Sequence, residues 1–287
     1  MKYFIFTILI LFNYCVYAQT ETTTAPTDTT VKSNWTPVGT VGLNASQIAF
    51  SDWSQGGDNS VAWSFLGNFG FKYESNPWLL SNSLKLAYGM TKLGQTDFRS
   101  TDNEIYLETV LSHKIGWVVD PYISNTIRTV ITDGYDYKVT PEVQTAAFFD
   151  PGYVTQSLGF TFNKEKFLST RLGVAFQEVF TNKMTQYTDD ADTPNEIESF
   201  KFETGIESVS ESEYSIEDNV LYQGKLRLFT RFKHLDTWDV RWDNIITAKV
   251  SKYFNVNLMV QVVYEKQQSL RTQVKEALQL GVTFSIF

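Results

Sequence analysis

Charged side chains recur at every second residue in the last third of the chain. Lys225 and Arg227 are two residues apart, and Asp239, Arg241 and Asp243 follow with the same spacing. Residues two apart on a β-strand share one face, and opposite charges on neighbouring strands can pair across a sheet. Side chains of this kind could line an aqueous passage and select solutes by charge.

Two interpretations of these charges remain. Charge selection requires one sign to dominate a ring of side chains, whereas interleaved signs can simply neutralise each other in a filled interior. The predicted lumen-lining network comprises Arg128, Arg171, Lys225, Arg227, Arg231, Asp239, Arg241, Asp243 and Lys249. The same parity of their strands also contains Lys72, Lys85, Glu108, Lys201, Glu203 and Glu265.

Residue types suited to catalysis or metal binding are scarce. The chain contains two histidines: His113 continues the apolar parity of its segment, and His234 lies near Asp236. No Gly-x-Ser-x-Gly or comparable nucleophile motif accompanies them. The acidic residues 188–193 lack the regular spacing and the glycine of a calcium loop. We therefore predict a protein that is not an enzyme and has no cofactor and no metal site.

The elements that must position the charges alternate between apolar and polar residues. One segment has aromatic or apolar residues at 61, 63, 65, 69, 71 and 73, and the last has them at 278, 280, 282, 284 and 286. Strands of about 10 residues with this alternation are typical of outer-membrane barrels, whose strands face lipid on one side and the lumen on the other. Counting the segments predicts a closed antiparallel barrel of about twelve strands over residues 35–287.

A soluble all-β protein is the main alternative fold, because it alternates in the same way with its apolar face inward. The strand lengths and the N-terminal sequence favour the membrane. Aromatic residues near the predicted strand ends, among them Trp78 and Tyr122, suggest the interfacial girdles of a barrel. The longer connections fall on the predicted outer side of the barrel, at residues 50–60, 92–103, 132–150 and 181–198. Two connections fit this pattern less well: residues 209–218 are long for a periplasmic turn, and residues 233–237 are short for an outer loop.

The N-terminus has the pattern of a secretory signal peptide over residues 1–18. Lys2 precedes an apolar run that starts at Phe4, and Ala18 provides the small residue before cleavage. Residues 19–34 are Thr-rich and predict a disordered periplasmic leader. Cleavage after Ala18 would remove the single cysteine, Cys15, and with it any disulfide. The formal net charge of −8 makes nucleic acid an unexpected partner.

Four stretches of the sequence resemble one family of Gram-negative outer-membrane barrels, the domain of unknown function 3078. The stretches are residues 43–60, 225–229, 239–243 and 249–254. The residues that match the opening signature of the family are Phe50, Asp52, Trp53, Gly56, Gly57, Asn59 and Ser60. We interpret them as a shaped first hairpin loop, with the hypothesis that it folds back into the barrel mouth. The family brings no established substrate, cofactor or catalytic residue.

The resemblance and the residue pattern together predict a protein of the Gram-negative outer membrane with both barrel termini in the periplasm. Its expected partners are outer-membrane lipids and, during insertion, the barrel-assembly machinery. The favoured function is a narrow passive channel for small polar solutes. A non-conducting structural or assembly subunit of an outer-membrane complex is a close alternative, and a lipid-modifying barrel enzyme is the weakest of the three hypotheses.

Overall fold

Twelve strands close into an antiparallel barrel within the described part of the chain. The structure is a computed structural model and describes residues 33–50, 57–163, 167–190, 193, 196–266 and 270–286. The predicted signal peptide and all of the predicted leader except residues 33 and 34 lie outside the described residues. The described residues include no helix of the length and apolarity needed to cross a membrane.

The strands follow the alternating segments of the sequence. Their bounds are β1 (Trp35–Ile48), β2 (Ser60–Ser75), β3 (Trp78–Leu93), β4 (Arg99–His113), β5 (Asp120–Thr129), β6 (Gly134–Asp136), β7 (Val143–Ala146), β8 (Gly152–Phe162), β9 (Leu168–Phe180), β10 (Phe200–Glu217), β11 (Val220–Arg231), β12 (His234–Lys249), β13 (Phe254–Tyr264) and β14 (Gln273–Ser285). The closed order around the barrel is β1-β14-β13-β12-β11-β10-β9-β8-β5-β4-β3-β2, and β6 pairs only with β7. The predicted closed barrel of about twelve strands is confirmed.

The burial pattern of the barrel is the reverse of that in a soluble protein. Leu158 and Phe160 of β8 are 52% and 54% exposed, whereas Ser157 and Thr161, which flank this stretch, are buried. The buried set contains charged residues such as Glu108 and Arg171. Because every second residue of a strand shares a face, the apolar face of each strand points outward and the polar face points at the lumen.

The connections differ between the two ends of the barrel. We call the end where β1 begins and β14 finishes the terminal end, and the opposite one the loop end. The terminal end has turns as short as residues 76–77 and 218–219, and the loop end has the long connections 130–151 and 181–199. β10 continues to Glu217, so the predicted long connection at 209–218 is a two-residue turn.

Tyr122, one of the residues predicted for the aromatic girdles, points into the lumen. Tyr122 is 5% exposed, and its hydroxyl lies 3.2 Å from the Ser157 hydroxyl inside the lumen. The girdle prediction for Tyr122 is therefore wrong. A position near a strand end does not distinguish lipid from lumen, whereas the parity of β5 does, because Tyr122 shares the face of Ser124 and Arg128. Trp78, by contrast, is exposed and packs edge to face against His113.

The barrel closes at a seam between β1 and β14 that pairs six residues on each strand, from Thr40–Ala45 to Leu280–Ser285. An amide side chain crosses the seam on the lumen side. Asn44 is 2% exposed and donates through Nδ2 to Ser64 Oγ at 3.2 Å and to Gln279 Oε1 at 3.1 Å. Its Oδ1 accepts a hydrogen bond from Asn257 Nδ2 at 3.3 Å.

Replacing Gly281 with alanine is expected to destabilise this seam. A Cβ at Gly281 would lie 2.1 Å from Asn44 Oδ1, so the amide must move and leave buried polar groups unpaired. Each such group costs about 1–3 kcal/mol. Gly42→Ala is the matched control, since a Cβ there would meet Thr283 Oγ1 at 3.4 Å, an ordinary contact. Urea unfolding of the barrel refolded into lipid vesicles measures both; equal stability of the two variants would contradict the expected clash.

Candidate functional site in the barrel lumen

The predicted charged residues of β11 and β12 lie on the lumen face, because their outward neighbours are apolar. The antiparallel register sets Lys225 opposite Asp243 and Arg227 opposite Arg241. Two arginines therefore face each other directly, an arrangement that is unfavourable unless both have acidic partners elsewhere. The partners come from other strands. The network is built across the lumen and along its wall, and only in part between β11 and β12.

Two ion pairs join opposite walls of the barrel. Glu104 on β4 pairs with Arg241 on β12, six strands away in the closed order of twelve. Arg128 on β5 pairs at 3.0 Å with Glu265, which directly follows β13, again six strands away. We call these two pairs the cross-lumen bridges. Long side chains from both walls meet in the interior, so the bridges obstruct the lumen at their level.

Each cross-lumen bridge is held by further contacts on its own wall. Glu104 also pairs with Lys85 of β3 at 3.3 Å, and the Nε of Arg241 lies 3.0 Å from Asp243 Oδ2. The guanidinium carbon of Arg128 lies 4.6 Å from the centroid of the Tyr153 ring, within the range of a cation–π contact. These contacts orient the charged ends that cross the lumen.

Glu108 is a buried carboxylate of the lumen with partners on three strands. It pairs with Arg171 of β9 and, at 2.7 Å, with Lys225 of β11, five strands away from its own strand. The Tyr106 hydroxyl donates to the same carboxylate at 3.0 Å. The side chains of Glu108 and Arg171 are 7% and 8% exposed. A buried carboxylate with two cations and a hydroxyl donor is stable only while all partners stay in place.

A second set of ion pairs runs along the wall of β10, β11 and β12, and we call it the wall ladder. Arg227 pairs with Glu207 at 2.7 Å, and Arg231 pairs with Glu203 at 2.7 Å and with Asp239 at 2.8 Å. Phe229 lies between the two arginines and is fully buried. The guanidinium carbons of both arginines are 5.4 Å from its ring centroid. The ladder stiffens one wall without crossing the lumen.

The remaining predicted site residues lie apart from the network. Lys249 is exposed at the terminal end of β12. In the first hairpin loop, Asp52, Trp53 and Gly56 lie outside the described residues, so the hypothesis that this loop enters the barrel mouth stays a prediction. The described base of the loop is ordered by the Phe50 backbone N–H, which donates to Asn59 Oδ1 at 2.6 Å.

Gly57 in the same loop has a positive φ of 130°. A side chain there would be strained, because residues other than glycine rarely adopt this conformation. A Cβ would also lie 2.8 Å from the Phe50 ring. Ser60 is the first residue of β2. Gly57 of the signature is therefore a conformational requirement of the hairpin.

A cavity of about 370 Å³ opens above the cross-lumen bridges, on the side of the loop end. Its wall contains the bridge residues Glu104, Arg128 and Arg241, together with Asp102 and Lys275, which pair with each other. The lining also includes the aromatic and amide side chains of Tyr153, Tyr187, Asn103 and Gln261, together with Lys85 and with apolar residues such as Leu66, Val130 and Met259. The cavity has the size of a small-molecule site.

Two long loops are tied together beside this cavity. The carboxylate of Asp150 accepts the backbone N–H groups of Asn182 and Lys183 at 3.0 and 2.7 Å. Tyr187 donates its hydroxyl to the Thr145 carbonyl at 3.2 Å, and burial raises the pKa of the Tyr187 phenol. These bonds hold the Tyr187 side chain in the cavity wall, so part of the loop end is structured around the cavity.

Several members of the network were not among the predicted site residues. Glu104, Glu207 and Lys275 carry key contacts, and Phe229 is an aromatic residue that faces the lumen. The signal for the acidic residues was present, since Glu104 alternates with Ile105 and Leu107 of β4. For Phe229 the parity of β11 was the only signal, and the residue type argued against the lumen.

The closed barrel and its outward apolar face define a membrane-spanning β-barrel of the outer-membrane type. Closure leaves no strand edge exposed to lipid, and apolar side chains outside with charged ones inside suit a bilayer around the barrel.

A family model described as "Protein of unknown function (DUF3078)" matches residues 45–135. The match confirms the resemblance over that part, which contains all seven residues of the opening signature; the stretches 225–229, 239–243 and 249–254 lie outside it. No curated protein matches the sequence.

Solved structures with similar folds are distant in sequence. They include the translocator domain of autotransporter NalP from Neisseria meningitidis (9% identity, TM-score 0.37, 87% of each chain covered). An outer membrane channel from Pseudomonas putida F1 has 7% identity and a TM-score of 0.39 over 92% of this chain and 99% of that one. The NanC porin has 8% identity and a TM-score of 0.39 over 86% and 98%. Similarities at this level carry no functional argument.

Proposed function

We propose that the protein is a narrow channel of the Gram-negative outer membrane for small polar solutes, with the cross-lumen bridges as its constriction and the terminal end in the periplasm. The observation that carries the proposal is the solvent contact of the bridging charges. The side chains of the bridge residues Arg128 and Arg241 keep 17% and 15% of their surface exposed inside the barrel, and Lys85, which pairs with Glu104, keeps 27%. Water-sized space therefore adjoins the bridges.

The charged lining of the lumen favours a passage for solutes over a lumen that side chains fill for structural reasons alone. Ion pairs in a dry interior are often no more stable than apolar residues of similar volume, so a filled barrel has no energetic need for so many charges. Partly hydrated charges, in contrast, lower the cost of moving ions and polar solutes through a narrow lumen. The bridges carry both signs and form no ring of one charge, so the bridges by themselves are not expected to select strictly by sign.

Single-channel recording in planar bilayers tests the proposal. The wild-type barrel is expected to show small, steady conductance steps. Arg241→Gln removes one side of a cross-lumen bridge and one positive charge, so larger steps and a shift of selectivity towards cations are expected. Lys114→Gln is the matched control: it makes the same charge change in an exposed pair with Glu74 at the rim of the terminal end, away from the cross-lumen bridges. Silent bilayers for both wild type and Arg241→Gln would contradict the proposal.

One observation favours a second function, that of a non-conducting structural or assembly subunit. The bridges join opposite walls, and Glu108 braces β4 against β9 and β11, as a rigid filled barrel would require. Silence in bilayers together with co-purification of a partner from native membranes would favour this function. We propose no catalytic role; the rings of His113 and Trp78 pack with their centroids 4.5 Å apart at the terminal end, a contact typical of an interfacial girdle.

A further inference from the structure

We propose that the cavity above the cross-lumen bridges binds a small dianion, such as an aliphatic dicarboxylate. The inference rests on the proposed function, because it names the class of solute that the channel would admit. Four basic side chains line the cavity, those of Lys85, Arg128, Arg241 and Lys275, and two acidic ones, Asp102 and Glu104. The lining thus carries a formal charge of +2 (4 − 2).

The carboxylates that compensate two of the basic residues lie outside the lining. Glu265 pairs with Arg128 and Asp243 pairs with Arg241, and neither carboxylate is among the cavity residues. The surface that a solute meets is therefore rich in donors, since a guanidinium carries five N–H groups and an ammonium three. Guanidinium groups match carboxylates with two parallel hydrogen bonds.

The lysines are the residues that a ligand can recruit. The side chain of Lys275 is 35% exposed and that of Lys85 is 27% exposed, more than either arginine of the bridges. Lysine has a flexible stem and a compact charge, so it can turn from its carboxylate partner towards a bound anion. Asp102 holds Lys275 in the absence of ligand and thereby competes with an incoming carboxylate.

The rest of the lining suits a small organic anion. The amide groups of Asn103 and Gln261 each already donate one hydrogen bond, to the Thr132 carbonyl and to Asp243, which leaves the second N–H of each amide for a ligand. The Tyr187 ring lies in the wall while its hydroxyl donates to the Thr145 carbonyl. The volume of about 370 Å³ is at the lower end of the range of small-molecule pockets. A dication of similar length would meet an excess of positive charge in the same space.

Titration calorimetry of the purified full barrel in detergent micelles, with succinate as the probe, tests the inference. Succinate is expected to bind, and putrescine, a dication of similar length, to bind far more weakly. Lys275→Gln removes a charged donor and is expected to weaken succinate binding about tenfold. Asp102→Asn frees Lys275 and is expected to strengthen it. Lys72→Gln is the matched control, because Lys72 has the lumen-facing parity of β2 but lies outside the cavity.

The outcomes separate this inference from the proposed function. If the barrel conducts but does not bind succinate at millimolar succinate concentrations, the result would overturn the inference and leave the proposed channel function uncontradicted. If the barrel does not conduct but binds succinate, and Lys275→Gln weakens that binding, the result would support the site and contradict the proposed channel. Equal binding of succinate and putrescine, or succinate binding unchanged in both Lys275→Gln and Lys85→Gln, would also overturn it. Circular dichroism establishes that each variant has folded before the titration.

Discussion

Replacing Glu108 with alanine is expected to lower the free energy of unfolding of the barrel by about 3–5 kcal/mol, the usual cost of removing one partner of a buried ion pair. The substitution would leave Arg171, 8% exposed, without its carboxylate partner in the lumen. It would also remove the ion pair that joins β4 to Lys225 of β11, although Lys225 keeps Glu211 as an acidic partner at 2.8 Å. The loss therefore comes mainly from the buried charge of Arg171.

Urea unfolding in lipid vesicles, followed by tryptophan fluorescence, measures this effect. Glu74→Ala is the control, because Glu74 near the end of β2 forms an exposed ion pair with Lys114. Exposed pairs contribute about 0–1 kcal/mol. A loss of stability for Glu108→Ala as small as that of the control would show that water screens the lumen charges, and would argue for a wide, hydrated lumen around Glu108.

Replacing Leu158 with arginine is expected to destabilise the barrel by about 2–4 kcal/mol, as for a charge on the lipid face at the bilayer midplane. Leu158 lies in the middle of β8 and is 52% exposed. It pairs with Ile123 on one side and Val174 on the other, so it belongs to a continuous apolar band. The penalty arises because the guanidinium would have to enter the hydrocarbon of the bilayer.

Phe148→Arg is the control for the lipid face. Phe148 is 66% exposed, and it lies in the connection between β7 and β8, beyond the strands. Its replacement is expected to change the stability by less than about 0.5 kcal/mol, as for an ordinary surface position. Comparable, small effects of the two substitutions would mean that the apolar face of β8 does not contact lipid, and the assignment of the outward face to the membrane would be wrong.

The strand count and the direction of each face could be read from the sequence because both depend on a local period of two. The alternation around Leu158 and the final segment at 278–286 predicted strands that the structure contains as β8 and β14. The same local rule placed Arg171, Lys225 and Asp239 on the lumen face. Tyr122 was misplaced because its nearness to a strand end was given more weight than the parity of β5.

The ion-pair partners of the charged residues could not be predicted from the sequence. Asp243 was expected to pair with a charge on the neighbouring strand, and the register does set it opposite Lys225. Its ion pair is instead with Arg241 on its own strand, which also crosses the lumen to Glu104. Residues 104 and 241 are far apart in the chain, and no local pattern connects them.

By itself the sequence determined an alternating, outward-apolar chain of twelve barrel strands, since each strand carries its own facing pattern. Only the tertiary structure decided that the lumen is crossed by Glu104–Arg241 and Arg128–Glu265 and that a cavity lies above them. The physical reason is closure: joining β1 to β14 and staggering the strands sets which levels of opposite walls face each other. That relation is a property of the whole barrel and of no segment within it.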